Sequence, residues 1–166
     1  MFRRIEDFEK TWLRESEATL SLLSYLTDAS LERRVNSKGR SLGFLAWHLT
    51  QTIREMLSRA GLQVAGADAD APRPKTAEAL KQAYGEAACS VSGAVRRAWS
   101  DDMLDGCLEM YGEQWERGKI LASLILHQAH HRGQMTVLMR QAGLPVPGIY
   151  GPSYEEWATI GLPPMQ

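Results

Sequence analysis

The chain has 166 residues, of which 44% are apolar and 23% charged, with a formal net charge of −1. This is the length of one domain, residues 1–166, with enough apolar side chains to build a core. The near-neutral charge argues against a nucleic-acid partner, and no run reaches the ~18 uncharged apolar residues that would suggest a membrane span.

The opening MFRRIEDFEK is charged and helical in pattern, unlike a secretory leader. Cys89 and Cys107 form no C-x-x-C pair and suit a reducing cytoplasm, where the expected role of each is to fill core space as a small apolar group. The first helix is expected over about 4–27, with Ile5, Phe8, Trp12, Thr19, Leu22, Leu23 and Leu26 inward. A polar connection follows, with Asn36, Ser37 and Gly39 as turn residues and Leu31 and Val35 tucked against the bundle end. Ser41 reads as the N-cap of a second helix that runs to about 60 and is closed by Gly61. Its inward line is Leu45, His48, Leu49, Thr52, Ile53, Met56 and Ala60. Residues 63–75 lack periodicity and contain two prolines, so they read as an exposed loop, mobile at its tip. The acidic residues there lack the spacing of a calcium loop.

Thr76 caps a third helix to about 99, with Leu80, Tyr84, Ala87, Val91, Ala94, Val95 and Ala98 inward. Its alanines predict close helix–helix approach. Residues 100–118 are irregular; 107–111 alternate weakly, as an extended segment would, but with no identifiable partner. Glu109, Glu113 and Glu116 stand just before the fourth helix, near enough for one of them to orient a ligand. That helix spans about 116–142 and stops at Gly143, ahead of Pro145 and Pro147. The irregular tail, with Tyr150, Tyr154 and Trp157, is expected to pack over an end of the bundle.

The organising stretch is HQAHHRGQ, His127 to Gln134, inside the fourth helix. His127 and His131, four residues apart, stack on one helical face. They fall on the line Ile120, Leu124, His127, His131, Gln134, Leu138, which reads as the buried face. Three readings are open. The two rings are core histidines satisfied by neighbours, or a zincin site, or a metal site completed by another helix. The zincin reading fails on Gln128, which stands where the motif requires a general-base Glu. For the third reading, His48 on the inward face of the second helix is the partner at hand. Pairing of His127 with His130 is also geometrically open.

HQAHHRGQ, with His48 in AWHL, resembles the DinB-like superfamily, which includes the YfiT-like metal-dependent proteins. The resemblance extends over nearly the whole chain in length and helix order. It implies an all-α, up-down-down-up four-helix bundle with one long crossover, usually dimeric, followed here by an irregular tail. It also implies a divalent metal on His48, His127 and His131; Gln128 departs from the Glu common in the family. Three imidazoles suit Zn²⁺ or Ni²⁺ and leave a coordination position open. Relatives include thiol-dependent transferases, so the resemblance implies a metal-dependent thiol S-transferase or related hydrolase. Its partners would be a low-molecular-weight thiol and an electrophilic small molecule. The competing reading is a non-catalytic, stress-induced metal-binding or sensing bundle. In the fourth helix, the surplus of Leu121, Ile125, Val137 and Met139 off the buried line predicts a homodimer.

Overall fold

The computed structural model describes residues 1–163. Four helices carry the fold: α1 (Ile5–Ser24), α2 (Leu42–Arg59), α3 (Ala77–Ala98) and α4 (Arg117–Gln141). A hairpin of β1 (Cys107–Met110) and β2 (Glu113–Glu116) precedes α4, and short 3-10 turns lie at Asp28–Ser30, Asp101–Met103 and Tyr154–Ile160. The apolar periodicity of α1 is used as expected: Phe8, Trp12, Leu22 and Leu23 are fully inside. The caps of α2 and α3 are the expected ones. Ser41 Oγ accepts the Phe44 N–H at 3.1 Å, and Thr76 Oγ1 accepts that of Ala79 at 3.3 Å. Gly61, at φ 81°, ends α2 in the left-handed region that disfavours a side chain.

Side-chain pairings give the helix directions. Glu9 meets Arg96 and Trp12 Nε1 donates to the Ala88 carbonyl at 3.0 Å, so α1 and α3 run antiparallel. Phe2 lies against Gly118 and Glu15 binds Arg132, so α1 and α4 run parallel. His48 and Leu49 meet His131 and Gln128 while Leu45, earlier in α2, shares a groove with Leu138, later in α4; these two are antiparallel. The result is an up-down-down-up bundle. The buried alanines of α3 let the Trp12 indole reach backbone, which is the close approach its composition predicts.

Several expectations are corrected. The extended segment has a local partner: β1 pairs antiparallel with β2, Met110 opposite Glu113, through the two-residue turn Tyr111–Gly112. Both turn residues have positive φ (56° and 83°), the conformation whose twist suits a tight hairpin. The turn was hard to foresee because tyrosine is an unusual first residue there. Cys89 and Cys107 are exposed free thiols, not core fillers. Val35 is 62% exposed, whereas Leu31 is buried. Residues 63–75 are tied along α2: the Ala71 carbonyl accepts Trp47 Nε1, and the Asp68 and Ala69 carbonyls accept Gln51 Nε2. The tail does not cap the bundle end. It reverses at Gly143 and runs back along α4, where Tyr150 reaches Arg132 and Arg140 meets Glu155.

The start of α4 has no side-chain cap. Its first N–H groups are satisfied by backbone instead, Arg117 N by the Gly106 carbonyl and Gly118 N by that of Leu104. Gly118 is also pressed against the Phe2 carbonyl, which a Cβ would overlap. Gly118→Ala is therefore expected to lower stability by about 1–3 kcal/mol, because the obstacle is backbone and cannot swing aside. Urea unfolding checks this; an unchanged midpoint would mean the N-terminal arm is not held there.

Candidate metal centre

His48 projects from the middle of α2, and His127 and His131 project from consecutive turns of α4, across the seam between the two helices. The ring centroids are 5.0 Å apart for His48–His127, 4.7 Å for His48–His131 and 4.4 Å for His127–His131. One ring nitrogen from each lies within 4.8 Å of the others, the spacing of a group able to hold a metal ion. His131 is buried and the other two are half-buried, so the cluster sits at the rim of the core.

The surrounding hydrogen bonds give the rings distinct roles. His131 Nδ1 is 2.7 Å from Gln134 Oε1, an acceptor, so Nδ1 carries the proton and Nε2 is left with its lone pair. Gln134 is exposed rather than part of the buried line, and its amide nitrogen is 3.0 Å from His130 Nε2. His130 is thus held outside the cluster; the His127–His130 pairing is not the one that meets His48. His127 Nε2 lies 3.2 Å from His131 Nε2, and His127 Nδ1 is buried with no partner.

Burial pushes the His48 and His127 imidazoles down to about 4, reinforced by the neighbouring His131 and, more weakly, by the Arg40 guanidinium. Burial lowers His131 too, against the opposing pull of Gln134. All three rings are therefore neutral near pH 7. With His131 Nε2 a lone pair, His127 must either present a second lone pair to it or donate to it. The first choice sets two acceptors face to face; the second leaves the buried His127 Nδ1 as an unmet acceptor. A cation between the rings removes the repulsion in the first case, so the donor set fits a borderline divalent ion.

The linkage sign follows from the depressed values. Between about 6.5 and about 4 the unfolded chain takes up protons on these histidines that the folded chain refuses. Stability is thus fully present above about 6.5 and is lost as pH falls toward about 4. Metal-free protein is expected to show a declining urea midpoint across that window, and His127→Asn should flatten the decline. Identical acid limbs for the two proteins would contradict the depressed pKa.

Two other members of HQAHHRGQ have structural work that the sequence reading missed. Gln128, fully buried, accepts from Tyr84 Oη at 3.1 Å and donates to the Leu49 carbonyl at 3.0 Å, tying α3 and α2 to α4. Both ends of its amide are taken by these bonds, and it offers no base. Arg132, also fully buried, donates to the Glu15 carbonyl and Thr19 Oγ1, both at 2.9 Å, and to the Glu15 carboxylate and Tyr150 Oη. Glu109 and Glu113 bond within the hairpin, to Gly112 N and Trp115 Nε1, and Glu116 belongs to β2; none joins the histidine cluster.

An up-down-down-up helical bundle with three converging imidazoles between α2 and α4 defines a class of small helical proteins able to hold a metal. The DinB family model matches residues 1–165, and the chain belongs to the DinB family. It is 43% identical over 162 residues, 98% of this chain and 97% of the other, to the Bacillus subtilis (strain 168) protein described as uncharacterized protein YrdA. A crystal structure of a DinB-like protein from Bacillus cereus ATCC 10987 superposes with a TM-score of 0.86 at 39% identity, covering 90% of this chain and all of that one. The DinB-like protein YjoA from Bacillus subtilis shares the fold, with a TM-score of 0.64 at 15% identity over 82% of this chain and 92% of its own.

Proposed function

We propose that His48, His127 and His131 are the ligands of one divalent ion, zinc or nickel, and that the protein is a metal-dependent thiol S-transferase or related hydrolase. The observation that carries this reading is the convergence of three neutral imidazoles with no fourth His, Cys, Asp or Glu among the described residues of the cluster. An ion held this way keeps an open position, where it would lower the pKa of a bound thiol or water and polarise an electrophile.

The chain's own residues prepare that chemistry. Gln134 holds the His131 tautomer that presents Nε2, and its loss is expected to weaken metal affinity roughly 10–100-fold. Phe44 stacks on His48 at 5.8 Å and shields one side of its ring from water. Three neutral ligands leave the ion's positive charge uncompensated, which favours an anionic incoming group such as a thiolate. No carboxylate belongs to the cluster, so no protein general base is assigned.

The experiment is transfer of glutathione, bacillithiol or mycothiol to an electrophile by zinc- or nickel-loaded protein, with His131→Ala as the control. Turnover that depends on both thiol and metal supports the transferase. Tight metal binding without turnover on any of them would favour the alternative, a non-catalytic metal-binding or sensing bundle.

No helix of the described residues is long and apolar enough to cross a membrane, and a cytoplasmic location is part of the same proposal. The homodimer has less support than the sequence implied. Leu121 and Met139 are buried within their own chain and Ile125 is half-buried, because α4 packs against both α1 and α2. Its remaining motivation is Val137, 51% exposed, joined by Leu126, 65% exposed on the half of α4 before the site. Light scattering at micromolar concentration tests it, and a clean monomer would end it.

A further inference from the structure

A groove of about 300 Å³ opens beside the histidine cluster, between the 31–41 connection, α2 and α4. Val35, Leu45, Val137 and Leu138 make its walls apolar, and Arg40 and Gln134 supply its polar groups. Its volume is at the small end of ligand sites, which pair an apolar lining with a few placed polar groups. Both helices connect it to the metal-binding seam. On the α4 side, Gln134 is bonded to His131. On the α2 side, the Arg40 guanidinium lies 5.1 Å over the Phe44 ring, which in turn stacks on His48.

Arg40 has no ion-pair or hydrogen-bond partner among the described residues; Phe44 is its contact. Arg34, close by in the same connection, is by contrast engaged by Glu32 and the Gly39 carbonyl. An arginine without a counter-ion that lines an apolar groove is complementary to a molecule with an apolar body and one planar anionic head. Val35 and Val137, both more than half exposed, are the apolar groups such a body would cover.

We propose that this groove binds a small amphipathic carboxylate, with its head on Arg40 and its aliphatic body along Val35, Leu45 and Val137. This supplies a class of substrate for the neighbouring centre and rests on the metal reading only for its catalytic meaning. Binding itself requires no metal.

The test uses octanoate with metal-free full-length protein, followed by calorimetry and by amide chemical shifts. Octanoate should bind saturably, shift the Val35, Leu45 and Val137 amides, and bind about tenfold or more tightly than octanol. Arg40→Gln should bring octanoate to the level of octanol, and Val137→Asp should remove both. Circular dichroism verifies that each variant is folded. His48→Ala should abolish metal binding yet retain octanoate, so failure of one reading is distinguishable from failure of the other. The proposal is overturned if octanoate fails to bind, if it binds no better than octanol, or if Arg40→Gln leaves its affinity unchanged. It is also overturned if the groove amides shift with protein concentration alone, which would make a second copy the occupant.

Discussion

His131→Ala is expected to abolish most of the protein's affinity for a divalent ion while leaving its helical circular-dichroism signal in place. His131 stands centrally: its ring is the one closest to both partners, and its Nε2 is freed for an ion by the bond from Nδ1 to Gln134. Removing it leaves two imidazoles on different helices, so the loss should exceed the 10–100-fold typical of an outer-shell partner. His130→Ala should change affinity little, since His130 packs edge-on against the His131 ring and bonds Gln134 but brings no ring nitrogen into the cluster. Chelation of the wild type should likewise spare the fold. The bundle buries Phe8, Trp12, Leu49, Ile53, Tyr84 and Leu124 with no help from a cross-link, unlike a small domain that folds only around its metal. Acid should release the ion as the rings finally protonate. Calorimetric metal titration beside circular dichroism reads both halves; unfolding on chelation would make the site structural and remove the basis for transfer chemistry.

Arg132→Met should produce the largest loss of stability of any change named here. The Arg132–Glu15 pair joins α4 to α1 inside the protein, and Tyr150 adds a third member by donating to the Glu15 carboxylate at 2.8 Å. Deleting the cation strands a buried carboxylate, at a cost of about 3–5 kcal/mol. For a chain of this size that lowers the melting temperature by on the order of 10 °C. Glu15→Leu together with Arg132→Met should recover much of the loss, because two apolar groups leave no charge unpaired. Tyr150→Phe should cost less, about 1.5–3 kcal/mol, and should also loosen the tail from α4. Denaturant midpoints of the wild type, Arg132→Met, Glu15→Leu and the double variant form the cycle, with Tyr150→Phe read beside them. A single Arg132→Met loss below about 1 kcal/mol would show that water reaches the pair and screens it.

The sequence alone determined those features that depend on neighbours along the chain. Helical periodicity located α1 to α4, Ser41 and Thr76 marked two starts, and Gly61 and Gly143 marked two ends, because caps and amphipathic faces are local physics. The same spacing rule set His127 and His131 on one face, and it gave His48 as the inward-facing imidazole of α2. Only the tertiary structure decided what those faces meet. Glu15 carried a signal in the sequence: the inward line of α1 leaves a gap between Trp12 and Thr19 that Glu15 and Ser16 fill. Nothing local revealed that its counter-charge was Arg132, 117 residues later, or that Tyr150 would return along α4 to join them. Leu121 and Met139 stood among the aliphatics offered for an interface because periodicity cannot distinguish a second helix of the same chain from a second chain. Cys89 and Cys107 read as core because composition says which residues can be buried, while packing decides which are. The convergence of three imidazoles across the seam, with His130 drawn aside by Gln134, is long-range in the same sense: it depends on how α2 crosses α4, which the interlocking of two distant helix faces determines and neither sequence segment encodes by itself.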